Sequence, residues 1–353
     1  MEPVRVCLIG CGRAGMIHAR GFAGSIQGAR LAALCDPDEA TLQKAAEETG
    51  VTRRYRDWHE VMDDPEIDAV IVVTPTQFHH DVVIAAADHR KHVFCEKPMA
   101  SDARECDEMI EACKRNHVKL QLGFMRRFDQ SFLRGKQLLE EGQIGDVTMI
   151  RSNTYGPSEP KEWMYDVRKN YGPIGEVNSH DFDTLRWYAG SEAKMIHAVG
   201  QNFRSQDHRD AWPEYYDTCT VMLEFENGVL GMISGAQYVR YGYDARAEIL
   251  GTSGLIKVGS QHANDCEVIT ADRTIRSDSM DSWRTLFLDA YRREDQAFID
   301  CIRFDQEPSV SGKDGKMALI LVQEGLRSIL EKRPVYLQNG LPAAEDENKT
   351  FQR

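Results

Sequence analysis

The 353-residue sequence lacks long hydrophobic runs and clustered cysteines. Its longest apolar stretch, around Ala69–Val73, is far shorter than the ~20 residues that a transmembrane helix needs, so no membrane partner is expected. The nine cysteines are scattered and include no Cys-x-x-Cys pair, which argues against a disulfide framework and against structural zinc. We therefore predict no metal site. The chain opens with a strand pattern instead of a signal peptide, and this pattern predicts a cytoplasmic protein.

Positive charge is also scarce. Lysine and arginine total 43 against 56 aspartates and glutamates, which gives a formal net charge of −13. Binding to nucleic acid or to an anionic membrane surface relies on basic patches, so neither partner is expected. The charge does not identify a small-molecule substrate.

Length and patterning predict two domains with different architectures. The first part of the chain alternates short β-branched runs with helical stretches, which is typical of a doubly wound α/β fold with a parallel sheet. Further on, strand-like segments between Ala193 and Val258 cluster beside helices, which indicates an α+β domain around a mostly antiparallel sheet. We place the first domain at residues 1–123, the second at 124–340 and a polar tail at 341–353.

A glycine-rich turn follows the first predicted strand, Val4–Ile9. The segment Gly10-Cys11-Gly12-Arg13-Ala14-Gly15 matches G-x-G-x-x-G and opens a helix, which is the context in which this motif binds dinucleotides. Gly10 permits the tight turn, Gly12 lets the backbone approach a pyrophosphate, and Gly15 allows close helix–strand packing. The amide groups at the helix start attract phosphate. These features predict a Rossmann domain, and glycines that merely form a turn would not need this context.

Asp36 ends the second predicted strand, 21 residues after Gly15. A carboxylate at this place accepts hydrogen bonds from the adenosine ribose hydroxyls. No lysine or arginine occurs in Asp36-Pro37-Asp38-Glu39, so a 2′-phosphate would be repelled there. The predicted cofactor is therefore NAD, in preference to NADP.

The tripeptide Glu96-Lys97-Pro98 follows another predicted strand, His92–Cys95. Ligands of open α/β sheets bind beyond the carboxyl ends of the strands, so these residues are expected to face the cofactor. Pro98 favours an extended conformation of Lys97, whose ammonium could hold an alkoxide-like oxygen beside the nicotinamide. On these residues alone, a surface pair of Glu96 and Lys97 is an equal alternative.

Glu176 and His180 are four residues apart in a predicted helix, Glu176–Ala189, and would share one of its faces. A histidine is the natural base for a hydroxyl proton near neutral pH, and a carboxylate one turn away could orient it. The same pattern also suits a histidine that makes ordinary hydrogen bonds on a helix surface. The residues alone leave both interpretations open.

Several motifs in order along the chain carry a resemblance to a known family. They are Gly10–Gly15, Thr74-Pro75-x-x-x-His79, Lys91–Pro98, Gly123–Asp129, Gly175-x-x-x-x-His180-x-x-Asp183 and Ser311-Gly312-x-Asp314-Gly315. Together they resemble the Gfo/Idh/MocA family, named for glucose–fructose oxidoreductase, inositol dehydrogenase and MocA. The resemblance spans residues 3–335.

The resemblance implies a Rossmann domain followed by an α+β domain whose open sheet face often mediates oligomers, so a homodimer or homotetramer is expected. It also implies that Lys97 and His180 act at the substrate. Glu176 stands where inositol dehydrogenases usually have aspartate, and Thr76 replaces the asparagine often found in the Thr-Pro-Asn turn. The Met125–Asp129 stretch is more similar to inositol dehydrogenases than to the nucleotide-sugar members.

The motifs and the resemblance together define a predicted cofactor site. Its residues are Gly10, Gly12, Arg13, Ala14, Gly15, Asp36, Thr74, Pro75, His79, Glu96 and Lys97.

The predicted activity is reversible hydride transfer between NAD and a secondary hydroxyl of a cyclic polyol or sugar. His180 is expected to take the hydroxyl proton, Lys97 to stabilise the negative charge on oxygen, and Glu176 to orient His180 or a substrate hydroxyl. Arg127 and Tyr155 are candidates to line the substrate pocket. A structural salt bridge for Arg127 and a loop anchor for Tyr155 are equally good explanations.

Two other functional classes compete with this prediction. Some related proteins are glycosidases that hold NAD and recycle it through transient oxidation, without net NADH formation. The second alternative is a non-catalytic regulator that binds a dinucleotide. The presence of both Lys97 and His180 argues against a regulator, which needs neither side chain.

Overall fold

The computed structural model describes residues 2–343. Its strands are β1 (Val4–Ile9), β2 (Ala29–Cys35), β3 (Arg54–Tyr55), β4 (Ala69–Val72), β5 (His92–Glu96), β6 (Leu120–Gly123), β7 (Val147–Gly156), β8 (Ala193–Gln201), β9 (Thr218–Phe225), β10 (Leu230–Gln237), β11 (Asp244–Gly251), β12 (Leu255–Val258), β13 (His262–Ile269), β14 (Ile275–Ser279), β15 (Val335–Gln338) and β16 (Leu341–Pro342). Its helices are α1 (Gly15–Gly24), α2 (Glu39–Thr49), α3 (Trp58–Met62), α4 (His79–Asp88), α5 (Ala103–Arg115), α6 (Gln130–Glu140), α7 (Val167–Asn170), α8 (Pro173–Glu176), α9 (Ser179–Ala189), α10 (Trp283–Leu286), α11 (Leu288–Arg303) and α12 (Gly312–Glu331).

The chain forms two compact units, and neither is contiguous in sequence. The first unit contains residues 2–129 together with Phe287–Leu319, and the second contains Gln130–Leu286 and residues 320–343. This division differs from the single predicted boundary after residue 123. Most of the predicted polar tail, from residue 344, lies outside the described residues, and β16 occupies its start.

The chain returns to the first unit because α11 packs into its core. This helix packs against α1, and its Phe298 and Ile299 are fully buried in the same hydrophobic core as Leu8 and Phe22. A change of composition near residue 124 cannot reveal that a helix more than 150 residues later completes the earlier core.

The sheet of the first unit is fully parallel, with the strand order β3-β2-β1-β4-β5-β6. Helices connect its strands, which is the doubly wound arrangement. All four residues of β4 are buried, as expected for a central strand covered on both faces. This confirms the predicted Rossmann architecture.

The sheet of the second unit has the order β12-β11-β7-β10-β9-β8-β15-β16. Only β7 and β10 run parallel among its paired neighbours, so the prediction of a mostly antiparallel sheet is confirmed. The hairpin of β13 and β14 was not predicted, because its residues do not alternate between polar and apolar. Every residue of both strands is exposed.

The two faces of this eight-stranded sheet differ in their surroundings. Helix α9 packs against β7 and β10 on the face that carries the buried Ser152 and Thr154. The opposite face, which we call the open face, carries apolar side chains on neighbouring strands that are between 38% and 58% exposed. They are Val199, Met222, Leu230, Met232, Leu250, Leu255 and Tyr336.

No helix within residues 2–343 is both long and apolar enough to cross a bilayer. The same part of the chain has no group of three or more histidine, cysteine, aspartate or glutamate side chains placed to bind a metal ion. The nine cysteines are free thiols, and all except Cys266 are buried.

Candidate active site

The glycine-rich turn between β1 and α1 is shaped by contacts that exclude side chains at two positions and leave room at the third. Gly10 has φ +100°, and a Cβ there would lie 2.5 Å from the carbonyl oxygen of Val73. A Cβ on Gly15 would collide with the carbonyl oxygen of Gly10. Nothing lies within 4 Å of the corresponding point at Gly12, so the backbone is open to a ligand there. This geometry fits a dinucleotide pyrophosphate.

The helix that follows this turn offers its amino end to the same place. Helix α1 begins at Gly15 after Ala14, whose methyl group cannot cap the first amide groups. The amide of Met16 bonds to the carbonyl of Gly12, so α1 continues directly out of the turn. Uncapped amides and the positive end of a helix dipole together attract a phosphate.

Asp36 lies directly after β2 and holds the glycine-rich turn. Its carboxylate accepts the N–H of Cys11 at 2.8 Å and the N–H of Asp38 at 3.0 Å. A carboxylate has further lone pairs beyond these two bonds, so it can also accept ribose hydroxyls. The sequence interpretation missed Arg56, whose guanidinium reaches the carbonyl of Pro37 at 3.4 Å. Only the fold, which pairs β3 with β2, reveals this neighbour.

His79, which the sequence assigns to the cofactor site, lies between the turns that carry Thr74 and Pro98. Its ring is buried and lies 2.8 Å from the carbonyl oxygen of Thr74 and 2.9 Å from that of Pro98. Burial lowers the pKa of this imidazole. His79 therefore links the turns that follow β4 and β5. The hydroxyl of Thr74 is buried and has no partner among residues 2–343, which fits a turn completed by a bound ligand.

Glu96 and Lys97 do not form the surface pair that the sequence left open. Glu96 is the last residue of β5 and is only 7% exposed. One of its carboxylate oxygens accepts the backbone N–H of Lys97 at 2.9 Å, and the other lies 3.2 Å from Nε2 of His18. The carboxylate of Glu96 is therefore hydrogen-bonded to the backbone of Lys97. No motif in the sequence pointed to His18.

The predicted helix Glu176–Ala189 is wrong in its first turn. Helix α8 ends at Glu176, and α9 begins at Ser179 after a break at Val177 and Asn178. Glu176 and His180 therefore do not share a face of one continuous helix. Glu176 is exposed at the end of α8, and His180 is buried in the first turn of α9.

The break between these helices has a clear cause in Asp181. This fully buried carboxylate accepts hydrogen bonds from the amide of Asn178 and the hydroxyl of Thr154, each at 2.7 Å, and from Ser152 at 2.5 Å. The side chain of Asn178 is thus drawn back to α9 and the chain turns there. The network fixes the first turn of α9, and with it His180, against β7.

Arg127 and Tyr155 occupy different surroundings. The guanidinium of Arg127 forms a salt bridge with Asp314 at 2.9 Å, so the structural explanation for this residue has a defined partner. The hydroxyl of Tyr155 lies 2.8 Å from that of Ser234. Along β7, Tyr155 alternates with Thr154 and points to the open face, away from α9. The second unit therefore does not bring Tyr155 together with His180.

Comparison with known proteins gives consistent results along the chain. The model of the oxidoreductase family with an NAD-binding Rossmann fold, GFO_IDH_MocA, matches residues 4–124, and that of the GFO/IDH/MocA C-terminal domain matches residues 132–257. A myo-inositol 2-dehydrogenase from Thermotoga maritima is 36% identical over 95% of this chain and 99% of its own length. An inositol 2-dehydrogenase from Rhizobium meliloti is 33% identical over 94% and 98%.

A solved structure shows the same agreement. The scyllo-inositol dehydrogenase from Lactobacillus casei, crystallised with NAD(H) and scyllo-inositol, has a TM-score of 0.87 and 28% identity. The match covers 95% of this chain and 99% of that protein. The matching families, the parallel sheet and the glycine-rich turn agree with one another, and the chain belongs to the Gfo/Idh/MocA family as an NAD-dependent dehydrogenase that acts on CH–OH groups.

Proposed function

We propose that this dehydrogenase oxidises a ring hydroxyl of an inositol or a closely related cyclic polyol. The observation that carries the proposal is the similarity to inositol 2-dehydrogenases, which extends through both units and covers 94–95% of the chain. A likeness restricted to the Rossmann unit would support only the cofactor. The L. casei relative, which has bound NAD(H) and scyllo-inositol, supports the same substrate class.

NAD, when bound, supplies the hydride acceptor. The protein must remove the hydroxyl proton and stabilise the negative charge on oxygen. His180 accepts the hydroxyl proton as general base. The hydrogen bonds of Asp181 hold the first turn of α9, so the backbone that carries His180 is fixed in position. Lys97 donates a hydrogen bond to the substrate oxygen and stabilises the negative charge that develops there.

Of the two roles predicted for Glu176, contact with a substrate hydroxyl is the one that we propose. Glu176 ends α8, across a break from His180, and its carboxylate is exposed. We assign it to a substrate hydroxyl. Its side chain is one methylene longer than that of the aspartate usual in inositol dehydrogenases, so it reaches further from the backbone.

A substrate screen tests the proposal directly. Purified protein with NAD is incubated separately with myo-inositol, scyllo-inositol and free sugars, and NADH is followed by its absorbance. Net NADH formation with an inositol is expected. Cleavage of a glycoside without net NADH would replace the proposal by a glycosidase, and binding of NAD without any turnover would replace it by a regulator.

We also propose that the protein forms a homodimer or homotetramer through the open face of its eight-stranded sheet. One row of paired residues across this face runs Met195, Glu224, Leu230, Met149, Leu250 and Leu255, and most of it is apolar. Exposed apolar side chains on adjacent strands mark interaction surfaces. A second copy of the same face is a suitable cover, because a two-fold contact pairs a surface with itself.

A further inference from the structure

A completely buried histidine lies between two carboxylates in the first unit. His18 of α1 places Nδ1 2.7 Å from Asp295 of α11 and Nε2 3.2 Å from Glu96 at the end of β5. His18 is 0% exposed, and Asp295 and Glu96 are 1% and 7% exposed. The three side chains therefore bring α1, the carboxyl end of β5 and α11 together at one point.

Both ring nitrogens of His18 face carboxylate oxygens. When the two carboxylates are ionised they only accept hydrogen bonds, so each ring nitrogen then carries a proton and the ring is an imidazolium. Burial alone would lower the pKa of His18, but the charge and hydrogen bond of Asp295 and those of Glu96 outweigh it and raise the pKa well above its ordinary value. The cation partly neutralises two carboxylates that would otherwise be buried together.

Glu96 connects His18 to the backbone of Lys97. One carboxylate oxygen faces His18, and the other accepts the backbone N–H of Lys97 at 2.9 Å. The carboxylate also lies against Gly123 of β6, where a Cβ would stand 2.8 Å from its carbon. Glu96 is thus held on three sides and cannot rotate without releasing the backbone of Lys97.

His18 is itself held in place by aromatic rings. Phe94 lies 5.1 Å away between ring centroids, and Tyr291 approaches edge-on at 5.4 Å. Asp295 packs closely on α1, where a Cβ on Gly21 would lie 3.1 Å from its second oxygen. The ring is therefore enclosed by Phe94, Tyr291 and Asp295.

We infer that His18 is a positioning residue for Lys97, acting through the carboxylate of Glu96. The inference rests on the proposed function, in which Lys97 acts on the substrate oxygen. The expected effect arises from orientation. A change far from the reacting atoms that misplaces a catalytic group by about 1 Å can lower the rate ~10²-fold. His18 touches neither substrate nor cofactor in this role.

The first test is the variant His18→Gln, whose side chain is uncharged and has both of its N–H donors on one nitrogen, unlike the two separate ring nitrogens of His18. The expected result is a fall in kcat of about 10- to 100-fold with the dissociation constant for NAD changed little. His80→Gln is the matched control, because His80 also contacts two carboxylates, Asp81 and Glu108, but on the exterior of α4. The control should keep wild-type kcat.

The second test asks whether the effect passes through Lys97. His18→Gln is combined with Lys97→Ala, and kcat is measured for the single and double variants. If His18 acts through Lys97, the histidine change should have little further effect once the ammonium is absent, because the two residues act as one unit. Glu96→Gln should resemble His18→Gln in both backgrounds.

The outcomes separate this inference from the proposed function. A folded His18→Gln protein with wild-type kcat, or one whose loss is equal with and without Lys97, overturns the inference alone. Wild-type activity in Lys97→Ala overturns the role of Lys97 and the inference with it. If His18→Gln does not fold, Asp295→Asn, which keeps the shape of the side chain and removes its charge, is measured in the same cycle and decides by the same criteria.

Discussion

A histidine changes charge near neutral pH, and this property distinguishes the proposed base from its partner Lys97. His180 must be neutral to take the substrate proton, so kcat/KM for oxidation is expected to rise with pH through the histidine range. His180→Ala should lose this rise and lower kcat by about 10²–10⁴-fold. Stopped-flow measurement of NADH formation in single turnovers across pH provides the profile.

The variant Lys97→Ala is the counterpart in this experiment. It should also lower kcat strongly, yet its residual activity should keep the same dependence on pH. The dissociation constant for NAD should remain near wild type in His180→Ala, because the glycine-rich turn and Asp36 belong to the first unit. A dependence that disappears in the lysine variant and persists in the histidine variant would reverse the two assignments.

We expect Asp36 to determine the preference for NAD over NADP. Wild-type protein should have the higher kcat/KM with NAD, because the carboxylate accepts ribose hydroxyls and repels a 2′-phosphate. Asp36→Ala is expected to narrow the ratio of the two kcat/KM values by about 10- to 100-fold. The ratio is the useful quantity, since the loss of the bond to Cys11 loosens the turn for both cofactors.

Two further variants sharpen this measurement. Arg56→Ala should weaken NADP more than NAD, because its guanidinium lies beside Pro37 and only NADP carries a phosphate there. Glu47→Ala, an exposed change on α2, should leave the ratio unchanged. A wild-type preference for NADP would refute the assigned role of Asp36.

At the scale of elements, the junction between α8 and α9 depends on Asp181. Asp181→Ala removes the carboxylate that accepts hydrogen bonds from Asn178, Ser152 and Thr154. The free energy of unfolding should fall by about 4.5 kcal/mol or more, since each of the three hydrogen bonds to this charged group contributes about 1.5–3 kcal/mol. Urea denaturation measures this loss.

Ser152→Ala serves as the comparison for that variant. It removes one hydrogen bond to the same charged carboxylate and should cost about 1.5–3 kcal/mol. Equal losses in the two variants would show that Asp181 does not organise the junction. Because the junction holds the first turn of α9, the alanine variant at position 181 should also lower kcat through displacement of His180.

The glycine-rich turn could be predicted from the sequence, whereas the junction between α8 and α9 could not. Gly10, Gly12 and Asp36 follow strands directly, and residues at the ends of parallel strands converge whatever the details of packing. Their neighbourhood was therefore predictable. The spacing of Glu176 and His180 was a helical pattern too, but a buried carboxylate drew Asn178 out of it, and tertiary hydrogen bonds overrode the local pattern.

Local sequence patterns could not predict contacts between distant parts of the chain. His18 looks like any residue in a helix that follows a glycine-rich turn, and its partner Asp295 is 277 positions away. No local spacing relates them. Likewise, the alternation in β7 shows that Tyr155 and Thr154 point to opposite faces, but only the packing of α9 shows which face carries His180.

For the whole molecule, the open face predicts self-association. Sedimentation velocity at micromolar concentration should show a dimer or tetramer. Met232→Glu, together with Leu230→Glu, should shift the protein toward monomers, because charges buried at an interface without partners are costly. Ile269→Glu is the control, since Ile269 is 72% exposed but lies in the separate β13–β14 sheet. A monomeric wild type, or equal dissociation in the control, would refute this interface.

The late return of α11 to the first unit has a consequence during synthesis on the ribosome. The strands of the parallel sheet are complete once residue 123 has emerged, yet Phe298 and Ile299, which close its core, are made far later. At a synthesis rate of about 5–20 residues per second, the nascent sheet waits roughly 10–35 s for them. During that interval, core residues such as Phe22 and Phe94 lack part of their cover, and a chaperone that binds apolar segments has time to act before His18 meets Asp295.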